Sequence, residues 1–280
     1  MTADLGVGLG WRPELALYID RRPGLGFVEI MAEELDERGP LPPALGRLRR
    51  RGVPLVPHGV SLSLGGAEPP DRDRIAALGR LAQRLDAPLV SEHLAFVRAG
   101  GLEAGHLLPL PRRRAALEIV VENVRLARRL LPVPLAVENI ATLFEWPDGE
   151  MDEAAFLSEV LERADVLLLL DLANVHANCR NHGGDPVAFL ERLPLGRLAY
   201  AHVAGGVERG GLYHDTHAHP IAPPVLRLLE ELVARAPVPG VLLERDDRYP
   251  TDTELDAELA AVEAALARGA ARRGAAHVNT

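Results

Sequence analysis

Eight short apolar runs, each trailed by a segment of helical periodicity, predict an α/β fold: a single (β/α)8 TIM barrel with a metal site at the C-terminal face of its strands. Three observations carry this. The runs are continuously apolar and do not alternate, which is how strands buried on both faces read. Each strand-plus-helix unit is about as long as a right-handed crossover between parallel strands requires. Six of the runs end in a metal-type ligand: PLVPHG at His58, PLVSEH at His93, PLAVEN at Glu138, VLLLLD at Asp171, LAYAHV at His202 and VLLER at Glu244. These residues lie roughly 30–45 positions apart, and parallel strands closed into a barrel bring their C-terminal ends to one rim.

The elements follow in order. DLGVGL (4–9) reads as the first strand and PELALYID as a short helix opened by Pro13. GFVEIM (26–31) is the second strand and contributes Glu29. A helix over 42–52, with arginines on its outer face, leads to VPLVPH (53–58). Ile75, Leu78, Leu81, Ala82 and Leu85 fall at helical spacing within 73–87, ahead of PLVSEH (88–93). The long helix over 111–131 has proline near its start, a favoured place, and precedes PLAVEN (134–139). Asp152 is the candidate cap of a helix over 151–164, ahead of VLLLLD (166–171). A helix over 185–194 precedes RLAYAHV (197–203), and one over 222–236 precedes GVLLER (240–245). A last helix over 251–273, capped by Thr251 or Thr253, closes the chain, and GAAHVNT (274–280) reads as a flexible tail. No repeat or low-complexity linker marks a boundary, so residues 1–280 read as one domain. A doubly wound open sheet competes, but GVGLGW after the first strand lacks the GxGxxG spacing of a dinucleotide site.

Composition narrows the function classes. The chain has 280 residues, 48% hydrophobic and 25% charged, enough for one large α/β core. A net charge of −9 argues against nucleic-acid binding. Cys179 is the sole cysteine, which leaves no intramolecular disulfide and no cysteine-based zinc or iron–sulfur site. The first residues lack a basic stretch followed by an apolar one, and no apolar run approaches the ~18–20 residues of a membrane span. The expectation is a cytoplasmic protein with no membrane partner.

The densest chemical signal is HDTHAH (214–219), where Asp215 and His217 sit two apart and share a side of an extended chain. Four histidines, His58, His93, His202 and His217, sit at or just beyond strand ends, and neutral imidazole is a common ligand of iron, zinc and copper. Glu138 and Glu244 end strongly apolar runs, where an unpaired carboxylate is very costly. Arg245 is the alternative partner of Glu244. Asp171 follows four leucines, with Asn174 three residues on and His176, Asn178 and His182 beyond. The plainer reading of that stretch is an Asp/Asn-rich loop making backbone turn bonds. The donors His58, His93, Glu138, Asp171, Asn174, His202, Asp215, His217 and Glu244 exceed what one tetrahedral zinc takes and suit two or three ions with bridging carboxylates. Mixed nitrogen and oxygen donors without sulfur fit iron, manganese or zinc.

The order HGVSLSLG, SEHL, LLPLP, VENI, LLLDLANVHAN with NHGG, YAHVAGG and HDTHAHP resembles the multinuclear non-heme iron-dependent oxidative enzymes (MNIO), from about Gly6 to Glu244. The resemblance implies a TIM barrel holding two or three irons, mixed Fe(II)/Fe(III), with O2 as co-substrate. It implies action on a residue, foremost cysteine, of a ribosomally synthesised precursor peptide, with a partner protein presenting the leader. The nine donors above become the iron ligands by that resemblance. Glu29, Asn139, Asn178 and His182 become supporting or substrate-side residues. The chain departs from the family at GWRPELALY after the first strand, at Arg112 to Arg114 after LLPLP, and at His176. These departures bear on substrate choice. Arg12 and Arg112 to Arg114 read first as surface charges and second as contacts for an acidic leader or partner. A catalytic group beyond the metals is not identifiable. The rivals are a metal-dependent sugar isomerase or epimerase, an endonuclease-like hydrolase, and a non-catalytic metal-binding scaffold in a peptide-processing complex. The charge disfavours the endonuclease, and the absence of any lysine disfavours an isomerase that needs a lysine base.

Overall fold

The computed structural model describes residues 4–278. Its strands are β1 (Gly6–Gly10), β2 (Phe27–Met31), β3 (Leu55–Gly59), β4 (Val90–His93), β5 (Phe96–Ala99), β6 (Leu102–Leu108), β7 (Leu135–Glu138), β8 (Leu167–Asp171), β9 (Leu198–Val203), β10 (Gly205–Arg209), β11 (Leu212–His219) and β12 (Gly240–Leu243). Its helices are α1 (Ala16–Arg21), α2 (Pro43–Arg50), α3 (Arg72–Leu85), α4 (Arg114–Leu130), α5 (Glu153–Ala164), α6 (Leu172–His182), α7 (Pro186–Glu191), α8 (Pro223–Arg235) and α9 (Asp252–Val278). Eight strands close into a parallel barrel in the order β1-β12-β9-β8-β7-β4-β3-β2. The eight sequence-predicted strands are these staves.

Two apolar clusters hold the barrel. The larger joins the helices to the outer face of the staves, and α3 shows why: Ile75, Leu78, Leu81, Ala82 and Leu85 form its buried stripe. Asp71 starts that helix by accepting from the Asp73 amide. Asp152 does the same for α5 through the Ala155 amide, as expected. Thr251 and Glu254 exchange side-chain and backbone bonds in a capping box at the start of α9.

The smaller cluster fills the barrel itself and positions the site. Alternate residues of a strand share a face. Phe27, Val56, Leu89, Ala136, Leu169, Tyr200 and Leu242 pack together inside the staves. Two residues further along each stave stand Glu29, His58, Ser91, Glu138, Asp171, His202 and Glu244, all buried. A polar ring therefore lies one layer above an apolar floor. On β1 the inward positions are glycines. A Cβ at Gly8 would come within 2.5 Å of the Phe27 ring, and Gly10 supplies no side chain to the ring.

Four differences from the sequence reading matter. LANVHANCRNH is the helix α6, not a loop, and it begins directly after Asp171. The Asp171 side chain accepts from the Ala173 and Asn174 amides and so nucleates it. Two antiparallel hairpins, β5–β6 and β10–β11, rise from the loops after β4 and β9, and HDTHAH lies within β11. Helix α4 starts at Arg114, not at residue 111, because the preceding residues run extended and the Arg114 amide is met by Glu150. Helix α9 continues to Val278, past residue 273; the expected tail thus includes helical residues, and its positions 279 and 280 lie outside the described residues. Among the described residues no helix is long and apolar enough to cross a membrane.

Candidate metal centre

Strand pairing sets the ring. In the barrel ladders His58 lies opposite Ser91, His93 opposite Glu138, and Asp171 opposite His202. Four trios of donor residues each have ligand atoms within 4.8 Å of one another: His58, His93, Glu138; Glu138, Asp171, His202; Glu29, His202, Glu244; and Asp171, His217, Glu244. The trios share members, so they form one continuous cluster.

Glu138 joins its parts. Its Oε2 lies 3.4 Å from Nε2 of His58 and 3.4 Å from Nε2 of His93. Its Oε1 lies 3.3 Å from Nδ1 of His202, which is also 3.2 Å from Oε2 of Glu244. Two atoms bonded to one ion at ~2.1 Å and ~90–110° apart are roughly 3.0–3.4 Å from each other. The spacing of these donors fits shared ions, with one oxygen of Glu138 turned to each histidine set.

The buried atoms left without partners make the same point. Among the described residues six buried side-chain polar atoms make no hydrogen bond, and four are Glu138 Oε2, Asp171 Oδ2, His202 Nδ1 and Asp215 Oδ1. A buried polar atom without a partner costs about 1–3 kcal/mol. Four together, all of ligand type and all in one cluster, fit a bound cation.

The histidines are oriented from behind. His58 Nδ1 bonds Ser91 Oγ at 2.8 Å, His93 Nδ1 donates to the Gly59 carbonyl at 3.1 Å, and His202 Nε2 bonds Glu29 at 3.0 Å. Each thus keeps its other nitrogen for the cluster. His217 contacts Asp215 through Nε2 and Asp246 through Nδ1, the latter at 3.1 Å. Asp171 spends Oδ1 on capping α6 and leaves Oδ2 for the cluster.

Electrostatics reflect this crowding. Burial pushes the Asp171 carboxyl upward, and Asp215 and Glu138 push it further. Burial opposes the charged form of Glu138, but His93 and His202 hold it at about 2. Burial likewise opposes the cation of His93, yet Glu138 and Glu92 raise it to about 9. His202 and His217 are raised as well, against burial, by Glu29 and Glu138 for the first and Glu244 and Asp215 for the second. These carboxylates therefore raise the His93, His202 and His217 imidazoles against the cost of burial.

Nearly all the sequence-predicted donors converge here. Asp215 and His217 do so for a different local reason than expected: β11 is irregular opposite the Gly205/Gly206 step, and His217 adopts φ 50°. The left-handed turn, not plain alternation, brings the His217 ring to Asp215. Asn174, on the first turn of α6, donates through Nδ2 to the Asn139 carbonyl, beside the ring. Asn139 brackets the Asp171 backbone, donating to its carbonyl and accepting from its amide. Asn178 and His182 face Thr142, behind the ring. Arg12 is buried against Glu244 and Asp246, which corrects its reading as a surface charge; burial beside two carboxylates raises it only because they outweigh desolvation. Arg112 pairs with Glu145 and Arg113 with Asp148. Sequence reasoning missed Ser91, Tyr200 and Asp246. Ser91 and Tyr200 each sit two residues before a predicted ligand, which is the signal that marks the inward face.

A family profile described as "RiPP precursor modification enzyme MbnB/TglH/ChrH" matches residues 6–267. A "UPF0276 protein" of Streptomyces avermitilis is 54% identical over 96% of this chain and 56% of its own length, so the chain spans little more than half of that relative. A second, from Acinetobacter baylyi, is 36% identical over 99% of this chain and 97% of its own. Among solved structures, D-psicose 3-epimerase from Clostridium cellulolyticum H10 aligns with TM-score 0.61 at 15% identity, over 93% of this chain and 99% of that one. At that identity the likeness concerns the barrel fold alone.

Proposed function

The chain belongs to the RiPP precursor modification enzyme MbnB/TglH/ChrH family, and from that premise we propose an iron-dependent, O2-using oxidase that modifies a residue, foremost cysteine, of a ribosomally synthesised precursor peptide. The observation that carries the metal part is Glu138 between two histidine sets, one oxygen toward each. That arrangement supports two or three ions over one. His58, His93 and Glu138 would hold one ion. His202, Glu138 and Glu244 would hold a second, and Asp171, Asn174, Asp215 and His217 complete the set toward the mouth.

Bound iron would supply the electrons that reduce dioxygen and a Lewis acid for a substrate thiolate. The chain's own residues do the rest. The apolar floor and the packed staves keep water from below the ring, which strengthens every charge interaction within it. Asn139 and the start of α6 hold Asp171 with one oxygen free. Arg12 ties Asp246 and Glu244 together on the side where β1 offers only Gly10. The partner protein that presents the leader, a cytoplasmic location and a single-domain barrel belong to the same proposal.

The test is direct. Protein purified without added metal should contain iron, and it should consume O2 only with its precursor peptide, whose intact mass then changes. A chain that holds a single zinc and alters the peptide equally well without oxygen would refute the proposal.

A further inference from the structure

We propose that Glu29, Tyr200 and Ser91 form a one-directional hydrogen-bond relay beneath the cluster, with Tyr200 as its hub, which positions His58 and His202 to bind metal through opposite ring nitrogens. The inference rests on the metal reading above.

The relay is continuous and fully enclosed. His58 Nδ1 meets Ser91 Oγ at 2.8 Å, Ser91 Oγ meets the Tyr200 hydroxyl at 2.7 Å, and that hydroxyl donates to Glu29 Oε2 at 2.5 Å. His202 Nε2 meets the same Glu29 oxygen at 3.0 Å. Tyr200, Ser91 and His202 are 0% exposed, and His58 and Glu29 are 3% and 4% exposed. Four staves, β2, β3, β4 and β9, contribute.

Proton counting fixes the direction. A carboxylate only accepts, whereas each hydroxyl has one proton to give. Tyr200 spends its proton on Glu29, so Ser91 must donate to Tyr200. Ser91 has then spent its own, so His58 must donate from Nδ1. The reverse order would set a tyrosine lone pair 2.5 Å from a carboxylate oxygen. His58 therefore presents the Nε2 lone pair toward His93 and Glu138. His202 donates from Nε2 to Glu29 and presents Nδ1 toward Glu138 and Glu244. One carboxylate thus sets both imidazoles, through a direct bond on one side and two hydroxyls on the other. Tyr200 is held in place by an edge-on contact with Phe27, with centroids 5.5 Å apart. These are positioning residues: none of the three need touch an ion.

Zinc, which is diamagnetic, is the probe. In 15N-histidine-labelled protein loaded with zinc, long-range 1H–15N correlation reports which ring nitrogen carries metal and which carries the proton. We expect zinc on Nε2 and the proton on Nδ1 for His58, and the reverse for His202. The opposite assignment at either residue, with zinc bound, overturns the relay and leaves the metal reading standing. A wild-type chain that, once stripped of metal, takes up neither zinc nor iron overturns both. In Tyr200→Phe the ring still fills its place, and zinc affinity should fall about 10–100-fold, with loss of the single-tautomer signature at His58. Unchanged affinity and unchanged tautomers in that variant overturn the relay. If the variant does not fold, the wild-type assignment decides alone.

Discussion

Glu138 is the residue through which the two histidine sets communicate, and its replacement should cost more than any single histidine. In Glu138→Gln one oxygen becomes an amide, so bound metal should drop by more than about one ion per chain, against about one for His93→Ala. Metal analysis after gel filtration checks both. Glu153 offers a separate test, behind the ring. Burial, opposed by Arg112 and Asn178, raises its carboxyl from 4.5 to about 7. The folded state then holds this proton more tightly than the unfolded one. Stability from this group is full below about pH 4.5, falls as pH rises to about 7, and stays lower above it. Glu153→Gln removes that fall. Allowing for partial exposure, the variant should gain about 1–2 kcal/mol at pH 8 and little at pH 4. Urea titrations at both pH values measure it.

The elements divide by how plainly they announce themselves. Eight staves were legible because strands buried on both faces leave unbroken apolar runs, and the candidate donors at their ends were legible because a charged or imidazole side chain at such a run's end needs a partner. Helix α6 was not. Its Asp171, Asn174, Asn178 and His182 read as loop composition, although their spacing of three, four and four places them on one helical face. The hairpins escaped notice because their strands form no long apolar run and are largely exposed or half-exposed. Ser91 and Tyr200 escaped because a buried serine or tyrosine in an apolar strand carries no charge to betray it. The β10–β11 hairpin also yields a prediction. A Cβ at Gly205 would lie 2.1 Å from the Pro220 carbonyl oxygen and 2.2 Å from that of His219. Gly205→Ala should therefore shift the Asp215 and His217 limb while the barrel persists. Hydrogen exchange should rise in 205–219 with little change in the staves, and metal content should fall.

At the scale of the whole molecule, the barrel concentrates carboxylates and imidazoles in a largely buried ring, an arrangement that favours a cation over an empty site. Stripping metal with a chelator should lower the melting temperature by about 3–5 °C, the effect of losing roughly 2–3 kcal/mol of ligand stabilisation. Differential scanning calorimetry before and after readdition of iron checks it, and an unmoved transition would separate the ring from metal altogether. The floor of Phe27, Val56, Leu89, Ala136, Leu169, Tyr200 and Leu242 has a further consequence. It makes the barrel a vessel closed at the bottom. For the oxidase proposed above, reactants and products would then share the one rim, and a product that lingers would compete with its own precursor.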